Sequence, residues 1–230
     1  RDFYLNRNYL TAWSSRDRQF IKEQLTTPLS DADCPPPAPG IIRFSRGDFE
    51  RATHNGFPAR DVFQWLREEI GAHSVLDIGC GRPWVVGEAE SAGVDMFGVC
   101  GGACPNKNPK KHKLHDFTCG VIPFTPTERH RLVFDLAWCV GFLGGMEQKY
   151  SHNYMDAFQQ CRYALVSVGS NHDNDPRFTN CADESHWLGL FHDYGLQHQP
   201  ELTQRIRELS PAGIDSLQHA LVFSNRRFDK

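Results

Sequence analysis

A glycine-containing turn follows a short apolar segment in the first half of the chain. Residues 75–81 read Val-Leu-Asp-Ile-Gly-Cys-Gly. The apolar residues are typical of a buried parallel strand, and glycine allows the backbone to turn tightly and to come close to a ligand. Asp77, Gly79 and Gly81 are therefore candidate binding residues for a small molecule. The alternative is a structural strand-to-helix turn in another doubly wound protein.

The segments around this turn alternate between strand and helix patterns. The predicted strands cover residues 74–78, 95–100, 114–116, 132–140, 163–168 and 219–223. The predicted helices cover residues 61–70, 84–92, 150–161, 185–194 and 202–209, with Asp61 as the N-cap of the first helix and Gly71 after its end. Strands separated by helices imply an α/β fold with a parallel sheet covered on both faces. Ligands of such sheets bind beyond the carboxyl ends of the strands, where the turn lies.

Composition limits the classes of function. The chain has 230 residues, which is enough for one large α/β domain. A net charge of -3 gives no overall basic field, so nucleic acid is not favoured as a partner. No apolar run approaches the roughly 20 residues of a membrane span, and no secretory signal is visible, so we expect a soluble protein. The first residue is Arg1, which indicates a processed chain or a fragment and leaves the compartment open.

The cysteines are expected to be mostly reduced. There are 8 of them, which is too few for a disulfide scaffold of this length. Cys80, Cys100 and Cys139 fall in or beside predicted core strands, where cysteine behaves as a small apolar residue. Cys100 and Cys104 could form half of a metal site, but no second pair follows at the spacing of a zinc site. We therefore predict no metal.

The N-terminal quarter of the chain differs from the rest. Residues 34–40 read Cys-Pro-Pro-Pro-Ala-Pro-Gly, a composition that favours a stiff, extended linker. We predict an N-terminal extension over residues 1–59, followed by one domain over residues 60–230. Residues 1–40 are a candidate docking segment for a protein partner.

Motifs after the first turn match a known family. The third predicted strand leads into His115-Asp116-Phe117-Thr118, and the fourth contains Phe134-Asp135-Leu136-Ala137-Trp138-Cys139. Phe142-Leu143, Tyr150 and Asn153 then follow at the expected places. Over residues 60–230 the chain resembles the class I S-adenosylmethionine (SAM) methyltransferases, in particular small ones from phage, marine microbes and algae.

The resemblance implies a Rossmann-like sheet of seven strands, mostly parallel with the last one antiparallel, and SAM as the cofactor. It assigns the turn at Asp77, Gly79 and Gly81 to the amino-acid end of SAM and Asp116 to the adenine side. Trp138 would lie near the reactive end of the cofactor, either as a pocket wall or as a core aromatic residue.

Several positions depart from the family pattern. Cys100 stands where the family has a carboxylate for the ribose hydroxyls, and a thiol cannot accept two hydroxyl hydrogen bonds as a carboxylate does. Arg82-Pro83 replaces a small residue in the turn. Three glycines replace charged residues after strand four, at Gly141, Gly144 and Gly145. Asn171-His172-Asp173-Asn174-Asp175 is all that matches the family's histidine-rich loop.

These departures leave two functional hypotheses. In the first, the protein is an enzyme that transfers a methyl group from SAM to a hydroxyl of a small molecule or glycan. His172 and Asp173 are then the candidate bases, although the same residues also fit an Asx-rich turn. In the second, the domain is a degenerate methyltransferase that serves as a structural or accessory subunit of a larger assembly.

Overall fold

A computed structural model of the chain contains one mixed β-sheet. It describes residues 59–80, 84–100, 111–123, 133–168, 180, 182–210 and 215–228. The strands are β1 (Ser74–Ile78), β2 (Asp95–Cys100), β3 (His112–Leu114), β4 (Phe134–Cys139), β5 (Cys161–Ser167), β6 (Leu196–His198) and β7 (Ala220–Asn225). The α-helices are α1 (Arg60–Ile70), α2 (Trp84–Ser91), α3 (Ser151–Phe158), α4 (Glu184–Asp193), α5 (Pro200–Leu209) and α6 (Asp215–Gln218).

The sheet has the strand order β3-β2-β1-β4-β5-β7-β6. The first five strands pair in parallel, whereas β7 runs antiparallel to both β5 and β6. Strands β2 and β3 lie on one side of β1, and β4 and β5 lie on the other, so the strand order reverses beside β1. Open α/β sheets usually bind their ligand at the carboxyl ends of the strands at such a reversal. The predicted seven-stranded, mostly parallel sheet with an antiparallel last strand is confirmed.

Helices cover both faces of the sheet. On one face, α3 and α4 contribute Phe158, Trp187 and Phe191 to an apolar cluster. On the other, α1 and α5 contribute Phe63 and Ile206 to a second cluster. The β4 residues are buried throughout, because this central strand faces helices on both sides, which is why its sequence is an almost continuous apolar run.

Some details of the predicted elements were wrong. The third strand covers His112–Leu114 instead of residues 114–116, and Cys161 begins β5 instead of ending α3. Asp61 is not the N-cap of α1. Ala59 holds that position without a side-chain hydrogen bond, and Asp61 lies in the first turn, where its charge still favours the positive end of the helix dipole. The pattern also missed β6, which has only three residues. Gly71 does end α1, with φ 67°, a left-handed conformation that suits glycine.

A buried carboxylate fixes the amino end of the central strands. Asp135 at the start of β4 accepts hydrogen bonds from the backbone N–H of His73 (3.1 Å) and of Ser74 (3.0 Å), and from the Ser74 hydroxyl (2.9 Å). Arg162 lies 3.6 Å from its other oxygen. This cluster lies at the opposite end of the sheet from the glycine turn, so it stabilises the fold without entering the candidate site.

Several predictions concern residues that the structure does not describe, among them the N-terminal extension and linker. Within the described ranges, no helix is long and apolar enough to cross a membrane. Cys80, Cys139 and Cys161 are free and buried, whereas Cys119 is disulfide-bonded. Cys119 is therefore an exception to the expectation of mostly reduced cysteines.

Candidate functional site

The glycine turn lies against the end of the neighbouring strand. Gly79 follows β1 directly and has φ 80°, a conformation that side-chain-bearing residues rarely adopt. The backbone N–H groups of Gly79 and Cys80 both donate to the carbonyl oxygen of Val99 in β2, at 2.8 and 3.0 Å. The turn predicted from the sequence is therefore present as far as Cys80, where the described residues stop, and it is tied to β2.

Cys100 is the residue after Val99, and it pairs with Leu114 of β3. Cys100, the candidate ribose-side residue, is thus next in the chain to the residue that holds the turn. The Cys100 side chain is not among the parts described. A Cβ on Gly98 would lie 2.8 Å from the Cys80 sulfur, so Gly98 leaves room for the turn to pack on β2.

Asp77 is the acid of the turn motif, and its side chain is buried at 3% exposure. It pairs with Gly98 on one side and with Trp138 on the other. Its charge acts on Cys139, whose thiol pKa is raised mainly by complete burial and secondarily by Asp77. Cys139 therefore stays a neutral thiol at neutral pH and is unsuited to act as a nucleophile.

Asp116 follows β3 and caps a short 3-10 helix, Phe117–Cys119. Its Oδ1 accepts hydrogen bonds from the backbone N–H of Thr118 (2.9 Å) and from the Thr118 hydroxyl (2.7 Å). The carbonyl oxygen of Phe117 accepts a hydrogen bond from the Asn153 side chain at 2.5 Å. The segment with the predicted adenine-side acid is thus fixed both locally and by α3.

His115 stabilises the segment that contains Asp116. Its Nε2 lies 2.9 Å from the carbonyl oxygen of Gly120, and its ring packs edge-on against Phe117 with centroids 5.1 Å apart. Burial lowers the pKa of this imidazole, against a smaller raising effect of the Gly120 hydrogen bond. His115 is therefore neutral at physiological pH. Its contacts with Phe117 and Gly120 stabilise the conformation of residues 115–120.

Trp138 has the contacts of a core aromatic residue. It is 2% exposed, and its ring lies 4.6 Å from that of Phe63 in α1. An aromatic pair of this kind contributes about 0.5–1.5 kcal/mol beyond the burial of its surface. Of the two roles left open by the sequence, these contacts favour the core residue, and a role in cofactor binding stays a prediction.

Phe142 contacts the turn itself, which the sequence reasoning did not foresee. An ideal Cβ placed on Gly79 would lie 2.5–2.6 Å from three atoms of the Phe142 side chain. The Phe142 ring also lies 5.4 Å from that of Phe117 and 6.3 Å from that of Tyr154. The sequence identified Phe142 only as a family match after strand four. Its contact with Gly79 needs the tertiary structure, because the two residues lie in different loops.

Other predicted site residues lie outside the described residues. They are Gly81 of the turn and the candidate bases His172 and Asp173. In the basic segment before β3, Lys111 forms ion pairs with Glu90 (2.5 Å) and Asp95 (3.4 Å). Among the residues that are described, no group of three or more His, Cys, Asp or Glu side chains could hold a metal ion.

Comparison with solved structures identifies the fold. A TehB-like SAM-dependent methyltransferase from Corynebacterium glutamicum aligns over 78% of this chain and 94% of its own, with a TM-score of 0.52 and 15% identity. A 1,6-didemethyltoxoflavin-N1-methyltransferase from Burkholderia thailandensis, solved with 1,6-didemethyltoxoflavin and S-adenosylhomocysteine, aligns over 77% and 81%, with a TM-score of 0.50 and 16% identity. These similarities confirm the SAM methyltransferase fold. No protein-family model matches the chain, and no curated protein matches it significantly.

Proposed function

We propose that this protein binds SAM at the carboxyl edge of β1, β2 and β3 and transfers a methyl group to a hydroxyl of a small molecule or glycan. The observation that carries the proposal is the left-handed turn at Gly79, held by the Val99 carbonyl between the ends of β1 and β2. A turn of this kind at the reversal of strand order is where an open α/β sheet binds its ligand.

The residues at this edge fit most of what SAM requires. The turn would face the methionine end, and Asp116 supplies an acidic group on the adenine side, next to the end of β3. Position 100 would face the ribose, where the thiol of Cys100 is a weaker acceptor than a carboxylate. The side chain of Phe142 conflicts with close approach to Gly79.

Methyl transfer depends more on the alignment of the acceptor with the methyl group than on reactive side chains. SAM supplies an activated methyl group, so the protein mainly has to hold the acceptor oxygen in line with it. A hydroxyl acceptor must also lose its proton, and His172 or Asp173 would accept that proton as a general base. Both residues belong to the segment after β5, and β5 pairs with β4 within the sheet.

A small-molecule acceptor is the substrate class that we favour. The structurally similar Burkholderia enzyme was solved with a small molecule, 1,6-didemethyltoxoflavin, together with S-adenosylhomocysteine. The net charge of -3 also argues against a nucleic-acid substrate.

The Phe142 contact favours a second candidate function. If the ring permanently fills the space beside Gly79 and Cys100 cannot hold the ribose, the domain would bind SAM weakly or not at all. It would then act as an accessory subunit, with residues 1–40 as its docking segment.

Transfer of a radiolabelled methyl group from SAM to a panel of small hydroxyl compounds and glycans tests the enzyme proposal. The wild-type chain should label at least one acceptor. His172→Asn and Asp173→Asn, made separately, should identify the base by a loss of rate that is smaller at high pH. Absence of both SAM binding and methyl transfer in folded protein would support the accessory function.

A further inference from the structure

The geometry points to Phe142 as a gate residue that limits access of the cofactor to the Gly79 turn. This inference rests on the proposed SAM site and adds to it the residue that sets its affinity. In the structure two ring atoms of Phe142 and its Cβ lie 2.5–2.6 Å from the position that a Cβ on Gly79 would take. A ligand that approached this side of Gly79 would therefore compete with the Phe142 ring for the same space.

Phe142 joins two parts of the proposed site. On one side it contacts Gly79, after β1. On the other its ring packs against Phe117, the residue after Asp116. The side chain therefore extends between the turn for the methionine end and the segment for the adenine side, and it does so without belonging to either.

The backbone around Phe142 is anchored, so the space beside Gly79 would open most simply by movement of the Phe142 ring alone. The N–H of Gly141 donates to the Ser167 hydroxyl at 2.8 Å, and the N–H of Gly145 donates to the Phe142 carbonyl at 3.0 Å. A Cβ on Gly141 would meet nothing within 4 Å, so there is space beside the anchored backbone. A side chain can change rotamer in such a setting without unfolding the loop.

The cost of opening can be bounded. Phe142 is only partly buried, so moving its ring away from Gly79 and Phe117 gives up only part of the free energy that full burial of a Phe side chain contributes. A protein that binds its ligand only in a minor open state shows an affinity reduced by the fraction that is open. Removal of the ring should therefore strengthen SAM binding about tenfold, which corresponds to about 1.4 kcal/mol.

A series of substitutions in the full-length protein tests the gate. SAM and S-adenosylhomocysteine are titrated calorimetrically into the wild-type protein, Phe142→Ala, Phe142→Leu and Phe142→Trp, after circular dichroism shows that each variant is folded. Affinity should increase in the order Trp, Phe, Leu, Ala. Tyr194→Ala is the matched control, because Tyr194 is also a partly buried aromatic residue packed on the same apolar cluster. Tyr194 is the C-cap of α4. The Tyr194→Ala variant should bind SAM with the affinity of the wild type.

The outcomes separate this inference from the proposed function. If the wild type binds SAM and Phe142→Ala binds it equally well or more weakly, the ring is a pocket wall. That result would overturn the gate but leave the SAM site in place. Binding by Phe142→Ala but not by the wild type would support the gate strongly. Absence of binding in every folded variant would overturn both.

Discussion

The contact between Gly79 and Phe142 has a measurable energetic consequence. Gly79→Ala adds a Cβ at a residue with φ 80°, and the left-handed backbone costs a side-chain-bearing residue roughly 1–2 kcal/mol. The new methyl group would also lie 2.5 Å from the Phe142 ring, and overpacking typically costs about 1–3 kcal/mol. We therefore expect Gly79→Ala to lower the free energy of unfolding by about 2–5 kcal/mol.

A double-mutant cycle separates the two causes. In a Phe142→Ala background the conflict with the ring atoms disappears, whereas the backbone part remains together with the contact to the Cβ of residue 142, 2.6 Å away. The coupling energy between the two substitutions should thus be about 0.5–3 kcal/mol, as found for residues in contact. Gly195→Ala provides the control, because Gly195 has nearly the same φ, 81°, but nothing lies within 4 Å of its Cβ position. It should cost only the backbone part and be additive with Phe142→Ala.

Urea unfolding followed by circular dichroism measures all of these free energies under the same conditions. A cost for Gly79→Ala no larger than that for Gly195→Ala would refute the reasoning. So would additivity of Gly79→Ala with Phe142→Ala, since it would mean that the ring does not pack on the turn.

Three further predictions concern affinity, stability and pH. Cys100→Asp should strengthen SAM binding about tenfold to a hundredfold, as expected for charge-assisted bonds to the ribose worth roughly 1.5–3 kcal/mol; a calorimetric titration showing no gain in the folded variant would contradict it. Asp135→Ala should lower the free energy of unfolding by at least about 2 kcal/mol, because two backbone N–H groups lose a charged acceptor; urea unfolding indistinguishable from wild type would contradict it. Burial lowers the His115 pKa below its ordinary 6.5, so the unfolded chain binds the proton more readily than the folded protein. The contribution of His115 to the free energy of unfolding should therefore be fully present above about pH 6.5, and it should be lost as the pH falls through the lower folded pKa. His115→Gln should remove this part of the pH dependence in urea unfolding, and an unchanged profile would exclude His115 as its source.

The strands around the site were predictable because their residues meet simple local demands. The apolar run of β4 and the Asp-x-Gly turn after β1 can be read without tertiary information, since burial on both faces and a tight turn each restrict the residue types. Strand β6 was missed because three residues, Leu196–His198, are too short to show a period.

The interactions within the site were less predictable because they join distant parts of the chain. Asp135 binds backbone groups about 60 positions earlier, and no local pattern indicates such a pairing. Phe142 matched the family motif, but its packing on Gly79 depends on how the loops after β1 and β4 meet. The role of Trp138 had to stay open because the sequence does not reveal which side of a strand end faces α1.

Calorimetric titration of the full-length wild-type protein with SAM and S-adenosylhomocysteine tests the central claim most directly. We expect saturable binding of one molecule per chain for both compounds, weakened by Asp116→Asn and strengthened by Phe142→Ala. Absence of any saturable heat with folded protein, in the wild type and in Phe142→Ala alike, would contradict the assignment of this sheet edge as a SAM site.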